Sequence, residues 1–214
     1  TCATQLRRHR RQSTNWNSDH YMEIVQYQHP ALRWKSKSIA HINTKLTTII
    51  REMFDLMYEA KGIGLAANQV ALPFRFFIIN VTGDAQLKEE EHVFINPEIS
   101  DRKGSAEAEE GCLSMPELYG DVRRAEQITV DAFDLEGHGF QMELDDMPAR
   151  VVQHETDHLD GILFPDRMSE SARREIDSRL SDFTSLFRQQ QRLGKYASED
   201  EIEQQLREIE QEFA

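Results

Sequence analysis

The order of patterns along this chain predicts an α+β fold: mixed, mainly antiparallel sheets around a central His-Glu-x-x-His helix, with an N-terminal helix and a helical C-terminal tail. Three observations carry the prediction. Apolar residues recur at helical spacing near both ends, short strand-like runs fill the middle, and no βαβ alternation signals a parallel sheet. Leu46, Ile49, Ile50, Met53, Phe54 and Met57 have helical spacing and predict a helix over 44–60. Strands are expected over 75–81, 92–96, 121–134 and 139–145, with Gly137-His138-Gly139 as a hairpin turn. The next helix is expected over 148–160. Pro148 suits its first turn, Gly161 its C-cap, and Val151, Val152 and Leu159 its apolar side. Beyond Pro165, one apolar stripe (Ile176, Leu180, Phe183, Phe187) marks a helix over 169–191. A second (Ile202, Leu206, Ile209, Phe213) marks another over 199–213, and both helices are expected to pack on the body.

At 214 residues the chain can bury one substantial core and carry appendages. A formal net charge of −13 argues against a nucleic-acid surface, which needs clustered Lys and Arg. No apolar run approaches the ~18 residues of a membrane span. The first twenty residues differ from the rest: Arg7, Arg8, Arg10 and Arg11 stand against Asp19 as the only acid, a composition resembling an organelle transit peptide. Residues 1–21 are therefore set apart as a leader-like arm, 22–168 as the catalytic unit and 169–214 as a helical extension. With Cys2 in that arm, Cys112 is not expected in a disulfide, and a reducing compartment, the cytoplasm, is the default. An organelle is the alternative should the arm be a transit peptide.

His154-Glu155-Thr156-Asp157-His158 is the most informative stretch. Histidines four apart lie about 40° apart around a helix axis, so both rings face one point. Glu155, offset by about 100°, is poorly placed to ligate but can reach water beside a cation. Two histidines still need a third ligand. The longer pattern HExxHxxGxxH matches through Gly161 and then meets Phe164 in place of histidine. Glu170 and Glu175 are candidates downstream. Upstream, Cys112 is the better one, in the turn Glu110-Gly111-Cys112-Leu113-Ser114-Met115-Pro116 between segments that read as strands. A third segment, Gly62-Ile63-Gly64-Leu65-Ala66-Ala67-Asn68-Gln69, satisfies G-x-G-x-x-A. The preceding pattern is a helix rather than a strand, so a dinucleotide site is not expected, and the glycines let the backbone approach a ligand closely.

Together, GIGLAANQ, EGCLS and QHETDHLDG resemble the three signature motifs of the peptide deformylase family, in the family's order and at comparable separations. Met22-Glu23-Ile24-Val25 and His29-Pro30-Ala31-Leu32-Arg33 look like its opening strand and turn, so the resemblance runs from about Met22 to Asp166. It implies metal ligation by Cys112, His154 and His158, and general-base duty for Glu155. It implies oxyanion stabilisation by the Gln69 side-chain amide and the Leu113 backbone N–H. The implied metal is one divalent ion per chain, commonly Fe²⁺, with Zn²⁺, Ni²⁺ or Co²⁺ able to take the same ligands. The implied reaction removes the formyl group from N-terminal formylmethionine of nascent polypeptides and releases formate.

The resemblance also implies an extended substrate along Gly62, Ile63 and Gly64, with its methionine near Tyr119, Met147 and Val151. Asp157 is expected to pair with Arg124 rather than touch the metal. A C-terminal helix in this family has been linked to the ribosome, but such helices are basic and this tail ends acidic. Neither nucleic acid nor a membrane is an expected partner, and the oligomeric state is open. Two other readings remain: an ordinary zinc endopeptidase, and a binding module whose structural metal is closed by a fourth ligand such as His138.

Overall fold

Asn43 starts the first helix by accepting from the Leu46 backbone N–H at 3.0 Å, a side-chain cap for an otherwise unpaired donor. That helix, α1 (Thr44–Glu59), buries the apolar stripe expected of it. The computed structural model describes residues 22–213, so the Arg-rich arm, including Cys2, lies outside the described residues.

The strands follow as β1 (Gly64–Ala66), β2 (Phe76–Ile79), β3 (His92–Lys103), β4 (Ala106–Cys112), β5 (Met115–Arg124), β6 (Gln127–Phe133) and β7 (Gly139–Asp145). Five of them form an antiparallel sheet in the order β1-β2-β3-β6-β7, and β4 pairs with β5 in a separate antiparallel ribbon. All four residues of β2 are buried, because both sheet faces are covered. Phe76 and Ile78 join the core beneath α1, while Phe77 and Ile79 join the core beneath the second helix.

Several expectations need correction. No single strand spans 121–134. Ala125 donates its backbone N–H to Gln153 Oε1 (3.1 Å) and accepts from Gln153 Nε2 at its C=O (3.0 Å), which stops β5 and sends β6 into the other sheet. β3 runs well past the expected 92–96. Asn96 at φ 51° and bulges around Pro97 let the ladder accommodate a residue without an N–H. The glycine-bearing turn contains a strand, β1, followed by a 3₁₀ turn over Ala67–Val70. The opening segment Met22–Val25 is not a strand. It is a strap whose Val25 N–H bonds the Gln69 carbonyl (2.8 Å), while the Tyr27 N–H bonds that of Ser114 (2.9 Å).

The second helix, α2 (Asp146–Leu159), begins two residues before Pro148. Ala149, Val152 and Leu159 pack against Phe77, Phe94, Ile128 and Val130. A short α3 (Phe164–Arg167) leads to α4 (Glu170–Arg192) and α5 (Glu199–Phe213). These tail helices pack on the body: Ile176, Leu180, Phe187, Ile202 and Leu206 share one apolar cluster with Val25, Leu32, Leu118 and Val122.

The end of α2 is fixed by Gly161. The N–H groups of Gly161 and Ile162 bond the carbonyls of His158 and Asp157, closing the last turn. Gly161 has φ +72°, and an added Cβ would lie 2.6 Å from the Arg33 carbonyl oxygen. Gly161→Ala is therefore expected to destabilise the protein by more than about 1 kcal/mol, read as a lower denaturation midpoint; an unchanged midpoint would contradict this packing.

Candidate metal centre and substrate cleft

Cys112 comes from the end of β4, and His154 and His158 from one face of α2. Cys112 Sγ lies 3.3 Å from His158 Nε2, which lies 3.2 Å from His154 Nε2, and the three ligand atoms are all within 4.8 Å of one another. No other such group of His, Cys, Asp or Glu occurs among the described residues. Glu170 and Glu175 are exposed on α4, with Glu170 paired to Arg174, so neither is the third member. His138 is 80% exposed beside Asp134 at the hairpin turn, which removes the closed structural site built on it.

The donors suit a cation. Glu110, buried behind the cluster, meets His154 Nδ1 at 3.0 Å, which directs the other ring nitrogen inward. Burial opposes charge on the His154 ring, but contacts with Cys112 and Glu110 and the nearby Glu155 charge outweigh it and push its pKa up to about 10. The acidic groups around the ring would also attract a metal cation, which must displace that proton to bind. His158 is held well below the usual range by burial and by the His154 charge.

Glu155 projects from the same helix, 4% exposed, and burial pushes its carboxyl up to about 7. Gly64 makes room for it: a Cβ there would lie 2.4 Å from Glu155 Oε1 and 3.0 Å from Val151 Cγ1. Gln69, in the 3₁₀ turn after β1, is oriented by the end of that strand, its Oε1 accepting from the Ala66 N–H at 2.9 Å. Its Nε2 then points at Ser114 Oγ (3.3 Å) and Cys112 Sγ (3.5 Å). Leu113 occupies the turn after Cys112. A cleft of about 730 Å³ is lined by Gln69, Cys112, Leu113, His154 and Glu155, and Gly62, Ile63, Gly64, Tyr119, Met147 and Val151 line it as well.

Sequence reasoning missed Glu110 and Arg150. Glu110 accepts two bonds from Arg124 (2.6 and 2.9 Å) and one from Arg150 (2.6 Å). Both were findable. Glu110 stands two residues before Cys112 on a strand, and Arg150 four before His154 on a helix, so each shares a face with a metal-ligand candidate. Asp157 pairs with Arg124 as expected (2.7 Å) and with Arg167 besides (2.6 Å).

An antiparallel α+β fold with a cysteine–histidine cluster, a buried glutamate and an open cleft defines a metal-dependent hydrolase. A family model described as polypeptide deformylase matches residues 21–174, and the chain belongs to that family. It removes the N-formyl group from nascent polypeptides. It is 45% identical over 184 residues to the peptide deformylase of Rhodopirellula baltica, covering 86% of this chain and 91% of that one. It is 43% identical over 150 residues to a chloroplastic peptide deformylase of Solanum lycopersicum, spanning 70% of this chain and 53% of that protein. The crystal structure of a plant peptide deformylase superposes with a TM-score of 0.77 at 35% identity, over 86% of this chain and 97% of that one. That of Plasmodium falciparum gives 0.76 at 34%, over 78% and 97%.

Glu110→Ala would leave Arg124 and Arg150 buried without their shared carboxylate. It is expected to cost about 3–5 kcal/mol of stability, measured by chemical denaturation. A loss below about 1 kcal/mol, the level of an exposed pair, would contradict the network's structural role.

Proposed function

We propose that Cys112, His154 and His158 hold one divalent cation, Fe²⁺ in the native protein, and that Glu155 is the general base of formyl-group hydrolysis. The observation that carries this reading is the convergence of one sulfur and two ring nitrogens beside a buried carboxylate in an open cleft. When bound, the ion would supply Lewis acidity and bring the pKa of nearby water towards neutrality. Glu155 takes the proton from the attacking water and returns it to the departing amine, a task suited to a carboxyl tuned near neutral pH. The Gln69 amide and the Leu113 backbone N–H donate to the carbonyl oxygen as charge develops there, a stabilisation worth ~10²–10³ in turnover per donor.

The substrate runs extended along Gly62, Ile63 and Gly64. β1 is an edge strand, which suits pairing with a peptide backbone. The methionine side chain enters among Tyr119, Met147 and Val151. We assign catalysis to residues 22–168 and treat 169–214 as an extension. Its outer charges on α5 are largely acidic, which disfavours a ribosomal RNA contact. No helix among the described residues is long and apolar enough to cross a membrane. The expected setting is the cytoplasm, or an organelle if the arm is a transit peptide.

Glu155→Ala is expected to abolish formate release from formyl-Met-Ala-Ser under anaerobic conditions while leaving metal content unchanged, since the base is not a ligand. Full activity in that variant would remove Glu155 from the mechanism. The Fe²⁺ assignment predicts loss of activity in air that nickel reconstitution prevents; an as-isolated enzyme stable in air would refute it.

A further inference from the structure

Of the two ring nitrogens that point away from the cluster, only one is held. His154 Nδ1 has Glu110. His158 Nδ1 is buried and has no hydrogen-bond partner among the described residues. Against the same residue lies Asn68, 0% exposed, whose Nδ2 donates to the His158 carbonyl. The Oδ1 of Asn68 is likewise buried and without a partner. One residue thus carries an unmatched ring N–H position, and the amide bonded to its main chain carries an unmatched acceptor.

A histidine that ligates through Nε2 bears its proton on Nδ1, and that proton needs an acceptor to fix the ring. We propose that Asn68 is the positioning residue of His158, as Glu110 is of His154. Its Oδ1 accepts from His158 Nδ1–H across one water, while its Nδ2 holds the main chain of the same residue. This rests on the reading of His158 as a ligand. An amide is the side chain that can serve both ends, because it offers a donor and an acceptor. Asn68 also immediately precedes Gln69 in the 3₁₀ turn, so the same bond ties the turn carrying Gln69 to the end of α2.

The competing explanation is that Asn68 merely satisfies an unpaired carbonyl at a helix end. The two differ in what they do to the ring. Cobalt-loaded protein is assayed for cobalt loss to a chelator, and its exchangeable ring N–H protons are followed by NMR. Asn68→Leu removes both ends of the amide at similar volume, whereas Asn68→Asp keeps an acceptor and loses the donor. The expected results are cobalt loss roughly 10–100-fold faster in Asn68→Leu, with only the Glu110-held ring signal still protected, and both signals kept in Asn68→Asp. An Asn68→Leu protein with the parent rate and both signals would overturn the proposal. So would an Asn68→Asp protein that loses the His158 signal, and this variant decides alone should the leucine protein not fold. His158→Ala separates the two levels. Undiminished cobalt stoichiometry there would remove His158 as a ligand, whereas lost cobalt beside an unaltered Asn68→Leu would remove only the role given to Asn68.

Discussion

The Glu110 carboxylate is the constraint on which the rest of the site depends. It is buried, yet it accepts from Arg124, Arg150 and His154 at once. Burial alone would raise its pKa. The contacts with His154 and Arg124 outweigh that and bring it down to about 2, so the group stays charged near neutral pH. Its partners come from two separate pieces of structure, the β4–β5 ribbon and α2. Fixing Glu110 against Arg150 and His154 therefore fixes Cys112, two residues along the same strand, against the helix bearing the histidines. Arg124 extends the network to Asp157 and on to Arg167, so two carboxylates are interleaved with three guanidinium groups. Within this network every buried charge has an opposite partner, which is the condition for tolerating charges at this depth.

A second set of bonds holds the segments that flank the cluster. The strap at the start of the described chain bonds the carbonyls of Gln69 and Ser114, and further along the Ser36 N–H bonds that of Leu159. The tail grips the chain a few residues beyond that strap. Trp34 Nε1 donates to Glu210 at 2.6 Å, and the Arg207 guanidinium lies 5.7 Å from the Trp34 ring centre. The tail helices thus share the strap's apolar cluster, against which Cys112 also packs.

Much of this was legible in the sequence because its signals were local. Helical spacing found α1, α2 and both tail helices, since an amphipathic stripe is a property of consecutive residues. HExxH put two imidazoles on one face for the same reason. What sequence missed was non-local. The break at Ala125 is made by a side chain from α2, the continuation of β3 past Pro97 needs a bulge, and β1 is a strand only because β2 pairs with it. Glu110 is an intermediate case: its two-residue offset from Cys112 was visible, but its worth lies in two arginines that only folding brings near. The unmatched atoms of Asn68 and His158 had no sequence signal at all.

In the proposed centre one sulfur and two imidazole nitrogens share a single ion. X-ray absorption at the metal edge of the anaerobically purified protein tests it most directly. One metal per chain is expected, with one sulfur at about 2.3 Å and two imidazole nitrogens near 2.0–2.1 Å if the protein is zinc-loaded. A shell without sulfur, or with a single imidazole, would contradict it.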